Sequence, residues 1–137
     1  MVNRVIILCS HGRLCDEVLM SAKMIGAPSN NVYTFPLMPG VTPEEYAENI
    51  EKILSIHVND EVICLTDLFG GTPCMSLISL SQKYHLLLLT GLNLPMLLTL
   101  LEEEGTSIDE LASELIKAGK DGVINVTKKL EDEKIYG

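Results

Sequence analysis

Hydrophobic and polar positions fall along this chain in two alternating kinds of block. Residues 4–9, RVIILC, make a short β-branched run with no internal period, as a strand buried on both faces requires. Leu14, Val18, Ala22 and Ile25 then share one helical face, and Gly26 supplies a stop. NVYTF at 31–35 reads as a second strand, followed by a loop through Pro39 and Gly40. Thr42, Pro43 and Glu45 give a helix cap, a proline at the first helical position and a capping-box acid. Ile50, Ile53 and Leu54 form the apolar face of that second helix. EVICLT at 61–66 is a third strand, and Thr72 with Pro73 opens a third helix running to about Tyr84. HLLLLT at 85–90 is a fourth strand, and Pro95 opens a fourth helix that stops near Gly105. Ser107 and Glu110 cap a further helix that ends near Gly119. GVINV at 122–126 reads as a short fifth strand, and residues 127–137 read as a solvated tail.

Strand alternating with helix predicts an α/β fold: one doubly wound, mostly parallel sheet with helices on both faces. Right-handed crossovers and this size favour the flavodoxin-like order 2-1-3-4. Neither an internal repeat nor a linker divides residues 1–137, so a single domain is expected. In that order strands 1 and 3 lie side by side, and their carboxyl ends flank the switch point where open α/β sheets hold their ligands.

Both of those strand ends carry chemistry. The first apolar run ends on Ser10, His11 and Gly12, and the third ends on Asp67, followed by Gly70, Gly71, Thr72 and Pro73. A carboxylate accepting from one imidazole nitrogen fixes the tautomer and leaves a lone pair on the other. A glycine-rich turn at a helix N-terminus presents backbone N–H groups to an anion. Together they describe a nucleophilic histidine, His11, oriented by Asp67 beside a phosphate cradle of Gly70, Gly71 and Thr72, with Ser10 adjoining it. Singly, each part has a plainer reading: a loop histidine, a tight turn, a helix cap. His57, at a helix end, and His85, at a strand start, lack such context and read as structural or surface residues.

Charge and composition narrow the classes. Net charge is −9, which argues against a nucleic-acid partner. Cys9, Cys15, Cys64 and Cys74 show no CxxC spacing, so neither a metal nor a redox cofactor is expected; Cys9, Cys64 and Cys74 sit in or beside apolar runs as buried thiols do, and reduced thiols fit the cytoplasm. The run at 5–9 is too short for a signal peptide. The apolar region 86–101 is interrupted by Thr90, Gly91, Asn93 and Pro95, short of the roughly 20 apolar residues of a membrane span.

SHG at 10–12, SAKMIG at 21–26, LMPGVTPEEY at 37–46, DLFGGTP at 67–73 and TGLNLPMLL at 90–98 carry a family resemblance over about residues 3–120. The chain resembles the IIA component of the mannose-family phosphoenolpyruvate-dependent sugar phosphotransferase system. The resemblance implies a phosphotransferase component that accepts a phosphoryl group from HPr on the Nε2 of His11 and passes it to a IIB component. Asp67 would orient the ring and the Gly-Gly-Thr turn would hold the phosphate. It also implies a cytoplasmic homodimer that exchanges a last, antiparallel strand, here 122–126, and that meets the membrane only through the transporter complex. The sequence departs from the family at Met75, where asparagine is usual.

Other readings of the same pattern are a regulatory module or a subunit serving a dihydroxyacetone kinase, both with this fold and site. A flavodoxin-like flavin carrier would need a Ser/Thr-rich first loop, which SHGRLCDE does not provide. A receiver domain would need an acidic pair after strand 1, where Ser10 and His11 stand.

Overall fold

The computed structural model describes residues 3–136, with side chains described as far as residue 134. Four strands form one sheet: β1 (Arg4–His11), β2 (Val32–Leu37), β3 (Glu61–Thr66) and β4 (Leu87–Leu89). All neighbours are parallel and the order is β2-β1-β3-β4, as the alternation predicts. The helices are α1 (Leu14–Ile25), α2 (Pro43–Ile56), α3 (Gly71–Leu80), α4 (Leu94–Glu102), α5 (Ile108–Asp121) and α6 (Val126–Tyr136).

The central strands are buried on both sides, so successive residues feed two cores. Ile6 and Leu8 of β1 and Ile63 and Leu65 of β3 pack with Cys15, Leu19, Ala22, Leu97, Leu111 and Leu115, from α1, α4 and α5. Val5, Ile7 and Cys9, with Val62 and Cys64, pack on Tyr46, Ile50, Leu54 and Leu77, from α2 and α3. The buried stripe of α1 is thus Cys15, Leu19 and Ala22, one step round the helix from the face read off the sequence; Leu14 and Ile25 are exposed.

Side-chain capping sets several helix starts. Thr42 Oγ1 accepts from Glu45 N (3.1 Å) and Ser107 Oγ from Glu110 N (3.3 Å), both at the expected positions. Asn93 caps α4: its Oδ1 accepts from Met96 N at 3.0 Å while its Nδ2 donates to Gly119 O at 3.1 Å. Gly119 does not stop α5, which runs on to Asp121. A Cβ there would lie 3.0 Å from Met96 Cε, so the glycine lets α5 approach α4 closely.

The expected fifth strand at 122–126 is absent from the described residues of this single chain. Gly122 N and Val123 N bond back to Ala118 O and Lys120 O, closing α5. Asn125 then caps α6, its Oδ1 accepting from Lys128 N at 3.0 Å. With Gly122 N and Val123 N closing α5 and Asn125 capping α6, the segment joins two helices here instead of a strand ladder. The tail is solvated as expected through residue 134, but it is helical.

Candidate functional site

The carboxyl ends of β1 and β3 meet. Alternation turns Val5, Ile7, Cys9 and then His11 toward the α2 and α3 side, and Ser10 toward α1. The β1–β3 ladder ends with Cys9 opposite Thr66. One residue on, the Asp67 carboxylate takes over as acceptor: its Oδ2 accepts from His11 N at 3.0 Å and lies 2.9 Å from His11 Nδ1. Its Oδ1 accepts from Leu68 N at 2.9 Å. On the other side Gly12 N donates to Leu37 O at 2.8 Å, so the histidine backbone is held from both neighbouring strands.

These bonds decide the electrostatics. Burial alone would raise the Asp67 carboxyl, but the His11 backbone N–H, the His11 ring and the Leu68 N–H together hold it below its ordinary value. An ionised carboxylate at Nδ1 holds the ring proton there and leaves the lone pair on Nε2. The Asp67 side chain is 11% exposed and that of His11 47%, so the carboxylate is sheltered and the far edge of the ring is open.

That edge lies on the start of α3. A Cβ on Gly71 would sit 2.8 Å from His11 Cε1 and 2.9 Å from Nε2, which only glycine avoids. Gly70 (φ 89°) and Gly71 (φ 75°) are both left-handed, the region other residues rarely adopt. The α3 N-terminus has no side-chain cap, so its first amides are free to meet an anion at Nε2. Thr72 is not the cap the sequence suggested: Gly70 holds that position and Thr72 lies within the first turn.

Ser10 stands apart from this cradle. It is fully buried, its Oγ donating to Gly12 O (2.8 Å) and accepting from Cys15 N (2.9 Å), so it fastens the β1–α1 loop instead of facing phosphate. His57 is bracketed on both nitrogens, by Asp60 Oδ2 at 2.8 Å and the Tyr33 hydroxyl at 3.2 Å, and His85 is exposed. All four cysteines are buried, and burial pushes Cys9 up to about 12 and raises Cys15 and Cys64, so these three are poor thiolates. Among the described residues no cluster of His, Cys, Asp or Glu could hold a metal ion, and no helix is long and apolar enough to cross a membrane.

One feature was not legible in the pattern. A groove of about 540 Å³ between α2 and α3 opens beside the glycine turn, lined by Pro43, Glu44 and Ala47 on one side and Thr72, Met75 and Ser79 on the other. The capping box at Thr42 marks the start of α2 in the sequence, but nothing in the spacing brings the two helices together.

A parallel sheet with an oriented histidine and a glycine-turn helix start at its switch point defines a class: proteins that hold a group at the carboxyl edge of a doubly wound fold. The comparisons make it particular. Residues 5–118 match the EIIA-man family, described as the PTS system fructose IIA component, and the chain belongs to that family. It is 32% identical over 111 residues to the sorbose-specific EIIA component of Klebsiella pneumoniae, covering 80% of this chain and 82% of that protein. It is 27% identical over 122 residues to the mannose-specific EIIAB component of Escherichia coli K12, of which it spans 38%. A mannose/sorbose-specific IIA subunit from Enterococcus faecalis superposes with a TM-score of 0.84 at 29% identity, over 90% of this chain and 95% of that one. A PTS IIA protein associated with a fucose utilization operon of Streptococcus pneumoniae gives 0.81 at 30% identity, over 94% and 97%. Members of the family are phosphotransferase proteins of sugar phosphotransferase systems.

Proposed function

We propose that this protein is a phosphoryl carrier that takes its group from phosphorylated HPr onto His11 Nε2 and hands it to a IIB component for sugar uptake. The observation that carries this is the 2.9 Å pairing of His11 Nδ1 with Asp67 Oδ2, with Nε2 turned to the open side against Gly71. In the step, the Nε2 lone pair forms the new N–P bond while the donor's N–P bond breaks and its electrons return to the donor nitrogen. No proton need move: Nδ1 keeps its hydrogen, and the ring gains positive charge directly opposite the Asp67 carboxylate, which stabilises it. Amides of the Gly70–Gly71 turn and the Thr72 hydroxyl receive the phosphoryl oxygens, offsetting repulsion from Asp67 without a metal.

The carrier acts in the cytoplasm and as a homodimer in this reading. Val123, Ile124, Val126 and Leu130 are all exposed around the α5–α6 junction, an apolar group suited to cover by a second copy. In that assembly residues 122–126 would leave their helix-end bonds and pair with the partner's β4. The sugar is not read from this site, because a IIA component passes its group to a protein and does not meet the sugar.

The test is mass spectrometry after incubation with phosphoenolpyruvate, enzyme I and HPr. One acid-labile, base-stable phosphoryl group on His11 is expected. Modification elsewhere, or none, overturns the proposal.

A further inference from the structure

We propose that the groove between α2 and α3 receives a long basic side chain of the protein that delivers phosphate to His11, and that Met75 and Glu44 select it. The inference rests on the reading of His11 as the phosphoryl acceptor. Thr72 and Gly71 are among the residues that line the groove, and Gly71 is the glycine that lies against Nε2. A protein that brings its phosphoryl group to that nitrogen therefore covers the groove as it docks.

The lining has two chemistries. Pro43, Ala47 and Met75 are apolar, and Met75 is 54% exposed on α3. Glu44 is an exposed carboxylate in the first turn of α2, and among the described residues it joins no ion pair. A purely apolar side chain lying there would strip water from Glu44 and leave the charge uncompensated. An acidic one would be repelled by Glu44, by the neighbouring Glu45 and by a chain of net charge −9. A lysine or arginine satisfies both: its methylene stem lies along Met75 and Ala47 while its head reaches Glu44. The same cation stands beside the cradle, where the group in transit is an anion.

The experiment is transfer kinetics from phosphorylated HPr to the parent chain and to Glu44→Lys, Met75→Lys and Met75→Leu. Phosphoramidate, a small donor that needs no docking, labels His11 in parallel. The two lysine variants should raise KM about tenfold while kcat stays within about twofold, and Met75→Leu should match the parent. Labelling by phosphoramidate should be the same in all four, which also shows that the variants are folded. Unchanged KM in both lysine variants overturns the inference, and so does a fall in kcat alone, which would make the groove part of the cradle. A parent chain that phosphoramidate labels but phosphorylated HPr does not overturns the inference and the donor while leaving His11 as acceptor. A parent that neither labels overturns the carrier reading itself.

Discussion

At the scale of single residues, the proposed chemistry rests on two side chains and one missing side chain. His11→Ala should fold and take up no phosphoryl group, which radiolabelled transfer from HPr would show. Asp67→Asn keeps the shape but offers the ring either an oxygen or an N–H, weakening its hold on the tautomer. Transfer should slow by about a hundredfold in both directions, the lower range of a positioned acid–base partner, as read by rapid quench. Asp67 also carries a pH signature. Its folded carboxyl is held below the ordinary 3.8, so its stabilising effect is complete above that value and is lost as pH falls through the lower folded value. Thermal melts between pH 5 and pH 2 should therefore fall less steeply for Asp67→Asn than for the parent. Gly71→Ala would put a methyl within 2.9 Å of Nε2 and an L-residue at φ 75°. The ring must then swing off Asp67, and transfer should fall by about a hundredfold, the scale of a misplacement of about 1 Å. Loss of the hydrogen-bonded Nδ1–H resonance in NMR would accompany it.

Among the elements, those marked by capping chemistry and by unbroken apolar runs were legible. The four strands and the caps at Thr42 and Ser107 follow from rules that act within a few residues, and the sheet order from crossover handedness and chain size. The meeting of His11 and Asp67 was legible for a different reason: strand order fixes which loops are neighbours, whatever the side chains do. What the pattern did not give had distant causes in one place and local ones in others. Gly119 looks like a helix stop, yet its role is set by Asn93 and Met96 from another helix. Thr72 resembles a cap only if the left-handed pair before it is ignored, and Ser10 faces α1 because the pleat sends alternate residues to opposite sides. Asn93 joins both ends of this point, capping α4 and fastening α5. Asn93→Ala should cost about 1–2 kcal/mol, above a plain cap loss because Gly119 O also loses its donor. Urea unfolding would show the midpoint fall with an unchanged slope.

For the molecule as a whole, the open question at the sequence level was the carboxyl-terminal segment, because an exchanged strand is specified by a second chain and not by local pattern. Within one chain the same residues settle into helix ends and α6. The proposed assembly makes a clear expectation: the full chain should elute as a dimer in gel filtration, insensitive to salt, since an apolar junction rather than surface charge would hold it. Removing residues 121–137 should give a monomer or an aggregate. A soluble, active and still dimeric truncation would rule out the carboxyl-terminal junction as the contact.

The two rims of the sheet are unequal in a way that bears on handling and on life in a crowded cell. β2, at one rim, carries Pro36, which has no N–H to offer an incoming strand. β4, at the other, is Leu87–Leu89, three leucines with a neighbour on one side only in the sheet order. Its shortness is a partial safeguard against stray edge-to-edge pairing, but its composition invites it. A chain diluted or truncated out of its assembly should therefore precipitate through that rim first. Replacing Leu88 with lysine should suppress light scattering by the truncated chain, even at some cost in stability.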